Sequence, residues 1–447
     1  VLNEQKIFNN EKNKNKSTRL VALEIWILVF YKNKKFDDII KKSFDFNKLD
    51  RRDKSFLFLL INTCMRRHKQ AQKIYNEYAR FGIKKKNRYL NGILVIATIQ
   101  LIWLEIAPYA VLNEAVNQAK FYIGDKQSKL VNAILRNMLA NKDDWLCLIP
   151  EDKYNLPEWL LNSWISSYGE KNVDEIATIA MEPPPLDIVV SNKMKKSELE
   201  QLKLNLSGEQ ILPNVIRCNL NEPVESLPRF SDGIWWIQDV ASQIPCNLLL
   251  SKINQHFSKS INSIKVIDMC CAPGGKTAQL LNNELDVVSI EKSKLRSHNF
   301  KENMKRLNFN YNLINANAEN YMPNFKADVI LIDAPCSATG TIRKNPDIFI
   351  KPAPTNLDDL ILTQDNILNN ASKILNKNGL IMYVTCSLQK IEGERRMEKF
   401  LKKNQNFSVV PFISSDYPMI NDCITEDGFL RILPNYFKFN SDDVMNG

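Results

Sequence analysis

The sequence contains few of the residues that stabilise small secreted domains or repetitive fibres. Its 447 residues include nine cysteines and thirteen glycines. Nine cysteines are too few for a disulfide-bonded scaffold of this length, and an odd number leaves at least one thiol free, which predicts a reducing compartment. So few glycines exclude a collagen-like chain, and a hydrophobic fraction of 44% excludes disorder of the whole chain. At roughly 100–200 residues per domain, we expect two to four domains.

The sequence also lacks a long apolar run. The longest one, at 93–107, is interrupted by Gln100 and Glu105 and ends before Pro108. It is therefore shorter than the roughly 20 residues that a membrane helix needs. Residues 1–19 are polar and rich in Lys and Asn, without the apolar core of a signal peptide. These features predict a cytoplasmic protein that is not inserted in a membrane.

Positive charge is concentrated in the first fifth of the chain. The chain carries 60 Lys and Arg against 50 Asp and Glu, a net charge of +10. Residues 1–90 hold 23 basic and 9 acidic residues, so this part carries +14 and the remainder carries −4. Such an asymmetry predicts a domain that faces nucleic acid. The abundance of Lys and Asn throughout is also typical of AT-rich genomes, which would account for part of the excess.

Hydrophobic periodicity divides the chain into four segments. Residues 1–16 predict a disordered basic tail, and 17–145 predict an all-α domain because apolar residues recur at helical spacing. Residues 146–255 mix short strands and helices, which predicts a small α+β domain that links its neighbours and contacts RNA. Residues 256–437 alternate amphipathic helices with apolar strands, which we expect at 264–269, 287–291, 327–332 and 380–384. That pattern is typical of a Rossmann-like α/β domain with a parallel sheet covered on both faces.

A glycine-rich loop, Cys-Cys-Ala-Pro-Gly-Gly-Lys-Thr at 270–277, follows the first strand of the last segment. A phosphate-binding P-loop would need glycine at Cys270, and the dinucleotide fingerprint G-x-G-x-x-G is also absent. Glu291, at the end of the next strand, can hold two vicinal ribose hydroxyls. A glycine-rich loop with a carboxylate that can bind ribose, and without a phosphate-binding motif, suits S-adenosylmethionine. The alternative is an ordinary tight turn with a solvated Glu291.

Two further cysteines follow apolar strands. Cys336 comes after Asp333-Ala334-Pro335, and Cys386 comes after Thr385. Because ligands bind at the carboxyl ends of parallel strands, we expect both thiols to face the same pocket. Zinc sites usually show paired cysteines two to four residues apart, and this spacing is absent here, so we predict no metal. The three histidines stand in unrelated segments, which also argues against a Ser-His-Asp hydrolase.

These motifs carry a family resemblance. The stretches at 268–277, 333–340 and 385–387 together resemble the Nol1/Nop2/Sun family of RNA cytosine-5 methyltransferases. The resemblance extends from about residue 17 to about residue 435. Its first part is similar to the NusB-like all-α RNA-binding domain that precedes the catalytic part in the bacterial Sun (Fmu, RsmB-type) 16S rRNA methyltransferases, in the stretches 49–53, 110–116 and 131–136.

The resemblance implies roles for individual residues. Cys386 corresponds to the nucleophile, and Cys336 corresponds to a cysteine that assists product release. A thiolate that adds to C6 of cytosine makes C5 nucleophilic, and we expect Asp333 to stabilise that adduct at N3. Asn317 stands where an aspartate usually contacts the adenine amino group. The S-adenosylmethionine site implied by the resemblance comprises Cys270, Cys271, Ala272, Pro273, Gly274, Gly275, Lys276, Glu291, Asn317 and Asp333.

The implied partner is RNA, with the target cytosine single-stranded or flipped out of a helix because a paired base cannot enter such a pocket. Arg343, Lys344 and the basic helical domain are candidates for phosphate contacts, and we expect a monomer. Two other functions stay open. One is a cytosine-5 methyltransferase that acts on tRNA or on another rRNA site. The other is a non-catalytic RNA-binding factor in ribosome assembly, against which the two cysteines and Asp333 argue.

Overall fold

The structure is a computed structural model that describes residues 16–80, 82–84, 86–219, 222–413, 417 and 420–436. Except for Lys16, the predicted tail at 1–16 lies outside the described residues. Within them, two compact units can be distinguished. Unit 1 contains the residues up to 183 together with 342–353, and unit 2 contains the others. The boundaries of these two units differ from the domain boundaries predicted from the sequence. The predicted division into four segments stays a prediction.

Unit 1 is helical in its described part. Its helices are α1 (Thr18–Lys32), α2 (Phe36–Lys42), α3 (Phe44–Lys48), α4 (Arg51–Glu77), α5 (Arg88–Ile102), α6 (Pro108–Ile123), α7 (Asp125–Ala140), α8 (Trp145–Leu148), α9 (Glu158–Tyr168) and α10 (Glu170–Ala180). The side chains of Ser17 and Asp50 accept backbone N–H bonds and so cap α1 and α4. Nowhere in the described chain is a helix long and apolar enough to span a lipid bilayer.

A segment from the second half of the chain, 342–353, completes unit 1. The buried side chain of Arg66 in α4 donates a hydrogen bond of 2.8 Å to the carbonyl of Arg343. The guanidinium of Arg343 in turn donates to the carbonyls of Glu182 and Pro183. The side chain predicted to hold phosphate is therefore bonded to the protein's own backbone.

Unit 2 begins with a small antiparallel sheet in the order β2-β3-β1-β4. Its elements are β1 (Leu186–Val190), α11 (Lys196–Asn205), β2 (Glu209–Leu212), β3 (Val215–Cys218) and β4 (Trp235–Ile237). One face packs against α11 through an apolar cluster that includes Leu202 and Trp235. Residues of the other face, Val189 and Trp236, pack against Phe300 and Met304 of the following α/β region. The sheet is thus covered on both faces.

The larger sheet of unit 2 has five parallel strands in the order β7-β6-β5-β8-β9. Its elements are α12 (Val240–His256), β5 (Lys265–Met269), α13 (Gly275–Asn282), β6 (Asp286–Ile290), α14 (Lys294–Arg306), β7 (Asn312–Ile314), β8 (Ala327–Asp333), α15 (Leu357–Ile374), β9 (Leu375–Val384) and α16 (Glu394–Lys403). The strand order changes direction between β5 and β8, and ligands bind at such a switch point. The predicted Rossmann-like class is confirmed.

Candidate active site

The loop between β5 and α13 has a backbone that few residues adopt. Cys270 and Gly274 have φ angles of +63° and +106°. A Cβ atom on Gly274 would lie 2.8 Å from the Met304 side chain and 3.1 Å from the Phe300 ring. Glycine is therefore required at 274 by both the backbone and the packing. The loop brings the free N–H groups of the α13 amino terminus to the carboxyl edge of the sheet.

Glu291, immediately after β6, is buried and has one carboxylate oxygen without a hydrogen bond from the described part of the chain. Its side chain is 2% exposed, and Oε1 accepts a 2.8 Å bond from the Ser293 N–H. Arg296 lies 3.2 Å from Oε2, yet no hydrogen bond from any described residue satisfies that oxygen. A buried carboxylate with an unsatisfied oxygen fits ribose hydroxyls as donors. The residues present therefore fit the nucleoside of S-adenosylmethionine.

Asn317 lies in the loop after β7 and is held by its neighbour. Its Oδ1 accepts the N–H of Glu319 at 3.2 Å, and its Nδ2 donates to the Glu319 carboxylate at 3.1 Å. Glu319 also accepts a bond from Asn366, and these amide bonds keep its pKa below the ordinary value although burial opposes them. These bonds fix the orientation of the Asn317 side-chain carbonyl. Its second lone pair can accept a hydrogen bond from an amino group.

Cys271 differs from the rest of the glycine loop. Its thiol is buried in the apolar cluster that contains Trp236 and Phe300. Burial raises the pKa of this thiol, so it stays protonated. Only the backbone of Cys271 is placed to contact a ligand, and its N–H already donates to the carbonyl of Ile290.

Lys276 and Asp333 form a partly buried ion pair. The Lys276 Nζ lies 2.8 Å from the Asp333 carboxylate, and the lysine side chain is 12% exposed. Burial opposes the charge on Lys276, but the charge and the hydrogen bond of Asp333 outweigh it and raise the pKa of the lysine. Lys276 is thus a permanent cation bonded to a side chain at the carboxyl end of β8. The positive charge of Lys276 also favours the thiolate form of Cys386, although the contact with Cys336 and burial raise the pKa of Cys386 overall.

The two predicted cysteines are in contact. The Sγ atoms of Cys336 and Cys386 lie 3.3 Å apart, with Cys386 exposed and Cys336 partly buried. A thiol hydrogen bond from Cys386 stabilises a thiolate on Cys336 and lowers the pKa of Cys336, while the same contact raises the pKa of Cys386. The pair therefore gives up its first proton more easily than an isolated thiol and its second proton with more difficulty.

One residue of the site was missed by the sequence analysis. Glu392 is fully buried, and its carboxylate accepts bonds from the Ser337 N–H at 2.9 Å and from the Ser387 hydroxyl at 2.5 Å. These serines directly follow the two cysteines. In the sequence Glu392 stands in a charged run after Cys386, where nothing distinguishes it from a solvated glutamate.

Comparisons with known proteins identify the family. A family model described as 16S rRNA methyltransferase RsmB/F matches residues 259–441, and the NusB family model matches residues 16–140. The ribosomal RNA small subunit methyltransferase B of Photorhabdus laumondii is 32% identical over 337 residues, which are 72% of this chain and 76% of the relative. The protein of the same name from Pasteurella multocida is 27% identical over 410 residues, which are 88% and 89% of the two chains.

A solved structure described as PH0851 has the same fold. It superposes with a TM-score of 0.69 at 18% identity and covers 95% of this chain and 97% of its own. The parallel sheet, the glycine loop and the extended match to the Photorhabdus relative lead to one conclusion. The chain belongs to the RsmB/F family of 16S rRNA methyltransferases, RNA-methylating enzymes that use S-adenosylmethionine, and it carries a NusB-family domain in its amino-terminal part.

Proposed function

We propose that the protein methylates C5 of a cytosine in 16S rRNA through a covalent bond between Cys386 and C6. The observation that carries this proposal is the 3.3 Å contact between Cys336 and Cys386 at the carboxyl edge of the sheet. A nitrogen or oxygen acceptor has a lone pair of its own and needs no thiol. Carbon 5 has none, so a nucleophile must first add electron density to the ring.

The first half of the reaction makes C5 nucleophilic. As the Cys386 sulfur bonds to C6, its proton is lost to water, and the C5–C6 electron pair moves towards C5. Lys276, held by its ion pair with Asp333, stabilises the negative charge that builds up on the ring, and Asp333 stabilises the adduct at N3. S-adenosylmethionine, when bound, supplies an electrophilic methyl group to C5.

The second half releases the product. The Cys336 thiolate takes the C5 proton, the C6–sulfur bond breaks, and Cys336 passes that proton to the departing Cys386 sulfur. The thiol pair then has its starting protonation, and the net change is one methyl group gained by cytosine and one proton released. Without Cys336 the C5 proton has no base to accept it. The covalent adduct is then expected to accumulate.

The choice of 16S rRNA is supported by the names of the relatives and by the charge of the amino-terminal part. Residues 1–90 carry +14, and phosphate neutralisation by Lys and Arg dominates affinity for RNA. The target base has to be unpaired or flipped to reach a thiol at a strand end. This substrate places the reaction in the bacterial cytoplasm. The monomeric state stays a prediction.

Methylation of isolated RNAs tests the proposal. The purified protein is incubated with S-adenosylmethionine and with deproteinised 16S rRNA, 23S rRNA or tRNA, and the products are sequenced after bisulfite treatment. We expect one 16S cytosine to become protected from deamination, as C5 methylation requires. Protection confined to tRNA or 23S rRNA would contradict the substrate, and a methyl group found on nitrogen or ribose would contradict the chemistry.

A further inference from the structure

The buried carboxylate of Glu392 joins the two loops that carry the cysteines. Its Oε1 accepts the Ser337 N–H at 2.9 Å and the Gln364 amide at 3.2 Å. Its Oε2 accepts the Ser387 hydroxyl at 2.5 Å and also the Ser337 hydroxyl. One carboxylate is therefore bonded to the residue directly after Cys336 and to the residue directly after Cys386.

Other bonds hold the same two loops at their backbones. Gln364 also donates to the carbonyl of Pro335 at 2.9 Å, so it links Glu392 to the residue before Cys336. The N–H of Gly340 donates to the carbonyl of Cys386 at 2.9 Å. On the far side of the second loop, Arg431 donates to the carbonyl of Ser387 at 2.8 Å. Within this network Glu392 is bonded to both loops through its side chain.

A buried carboxylate is costly for stability. Removing a charged group from water is unfavourable, and its hydrogen bonds offset this only in part. Glu392 is 0% exposed, and all four of its bonds go to the two cysteine loops and to the glutamine that holds one of them. An apolar side chain would fill the space without this cost, but it would not fix the separation of the loops.

We propose that Glu392 is a positioning residue that sets the spacing between the two cysteine loops and so brings the Cys336 and Cys386 sulfurs into contact. It takes no part in bond making. Only the catalytic readout of this proposal rests on the proposed function, because the spacing itself can be measured without RNA or cofactor.

Three variants distinguish an effect on the position of the two loops from an effect of the Glu392 charge. Glu392→Ala removes all four bonds. Glu392→Gln keeps the shape, since its carbonyl can accept from Ser337 and Gln364 while its amide donates to serine hydroxyls that can rotate to accept. Glu398→Gln is the matched control, because Glu398 is an exposed glutamate on the adjacent helix α16.

The first measurement is the rate at which the two thiols form a disulfide. Diamide oxidises two thiols to one disulfide and takes up two electrons and two protons as it becomes a hydrazine. The linked 336–386 peptides are then quantified by mass spectrometry. We expect the wild type and Glu398→Gln to react at similar rates and Glu392→Gln to react at least as fast. Glu392→Ala should react at least about 10-fold more slowly because its sulfurs are displaced.

The second measurement is steady-state methylation of 16S rRNA. Displacement of reacting atoms by about 1 Å can cost about 100-fold in rate. Glu392→Ala is therefore expected to lose about 100-fold in kcat with its KM for RNA nearly unchanged, and Glu392→Gln to recover most of that loss. The charge of Glu392 works against a thiolate on Cys336, so alkylation of the glutamine variant should extend to lower pH.

The outcomes are distinct. Disulfide formation at the wild-type rate in Glu392→Ala would overturn the proposal, as would a glutamine variant as slow as alanine. If Glu392→Ala does not fold by circular dichroism, the Ser337→Ala/Ser387→Ala double variant replaces it, and the proposal requires slower disulfide formation there too. If the wild type does not methylate cytosine, the proposed function fails, while the disulfide rates still decide the role of Glu392.

Discussion

Replacement of Glu291 tests the cofactor site at the residue where the structure leaves an oxygen unsatisfied. Oε2 is buried without a hydrogen bond from the described residues, although Arg296 lies near it. The Arg296 side chain is half exposed, so this pair is screened by solvent and weak. A hydrogen bond to a charged group contributes about 1.5–3 kcal/mol. Glu291→Ala should therefore weaken S-adenosylmethionine binding by roughly 10-fold to 150-fold.

The assay combines calorimetry with unfolding in the presence and absence of cofactor. At 100 times its dissociation constant, a ligand stabilises the folded protein by about 2.7 kcal/mol. If binding becomes about 30-fold weaker, the same concentration gives only about 0.9 kcal/mol. Most of the cofactor-induced rise in Tm should therefore disappear in the alanine variant.

Glutamine at the same position separates binding from folding. Glu291→Gln removes the buried charge and still accepts the Ser293 N–H, so its cofactor-free stability should be no lower than that of the wild type. Its binding should be weakened less than in Glu291→Ala. Glu302→Gln on the exposed side of α14 is the control and should change neither quantity. An unchanged dissociation constant in Glu291→Ala would refute the assignment of this residue to the cofactor.

Three further predictions concern stability and RNA binding. Burial raises the pKa of Asp268 to about 7 from 3.8. The protonated form of Asp268 therefore contributes to the free energy of unfolding, fully below pH 4, and this contribution is lost as the pH rises through 7. Asp268→Asn should flatten that decline in urea unfolding between pH 4 and pH 7. Gly92→Ala should destabilise unit 1 by about 1–3 kcal/mol in thermal unfolding, because its Cβ would lie 2.7 Å from the Trp26 ring, and an unchanged Tm would contradict this packing. Replacing the exposed Arg51 and Arg52 by alanine should reduce the salt dependence of RNA affinity, by roughly 0.7–0.9 in slope for each phosphate that the protein no longer neutralises; an unchanged slope would show that these side chains do not bind RNA.

The sequence allowed the central strands and the reactive groups to be predicted because their signals are local. Near-continuous apolar runs located β5, β6 and β8, and the two reactive cysteines closely follow such runs. Strand β9 was predicted only from 380, whereas it begins at Leu375. Residues 375–379 are Leu-Asn-Lys-Asn-Gly, which shows neither helical nor strand periodicity. Of these residues Leu375 pairs with β8, opposite Ala327, and the register then shifts before Leu380 pairs with Val329. Asn378, inside this irregular stretch, has a φ angle of +62°.

The remaining features depend on contacts between residues far apart in the chain. Glu392 lies 55 residues from Ser337, and no local pattern reveals that a glutamate in a charged run is buried between two loops. Lys276 was assigned to the cofactor from its motif, whereas the structure bonds it to Asp333. The segment 342–353 follows a catalytic motif and yet packs with the helices of unit 1. Such placements follow from tertiary structure, which the hydrophobic period of a single segment does not encode.

Covalent trapping of RNA tests the central claim most directly. Wild type, Cys336→Ala and Cys386→Ala are each incubated with labelled 16S rRNA and S-adenosylmethionine, and the products are separated on a denaturing gel. We expect Cys336→Ala to give a denaturant-resistant protein–RNA band that contains methylated cytosine, and Cys386→Ala and the double variant to give none. A band from Cys386→Ala but not from Cys336→Ala would reverse the two roles. Full methylation by both single variants without any band would contradict covalent catalysis.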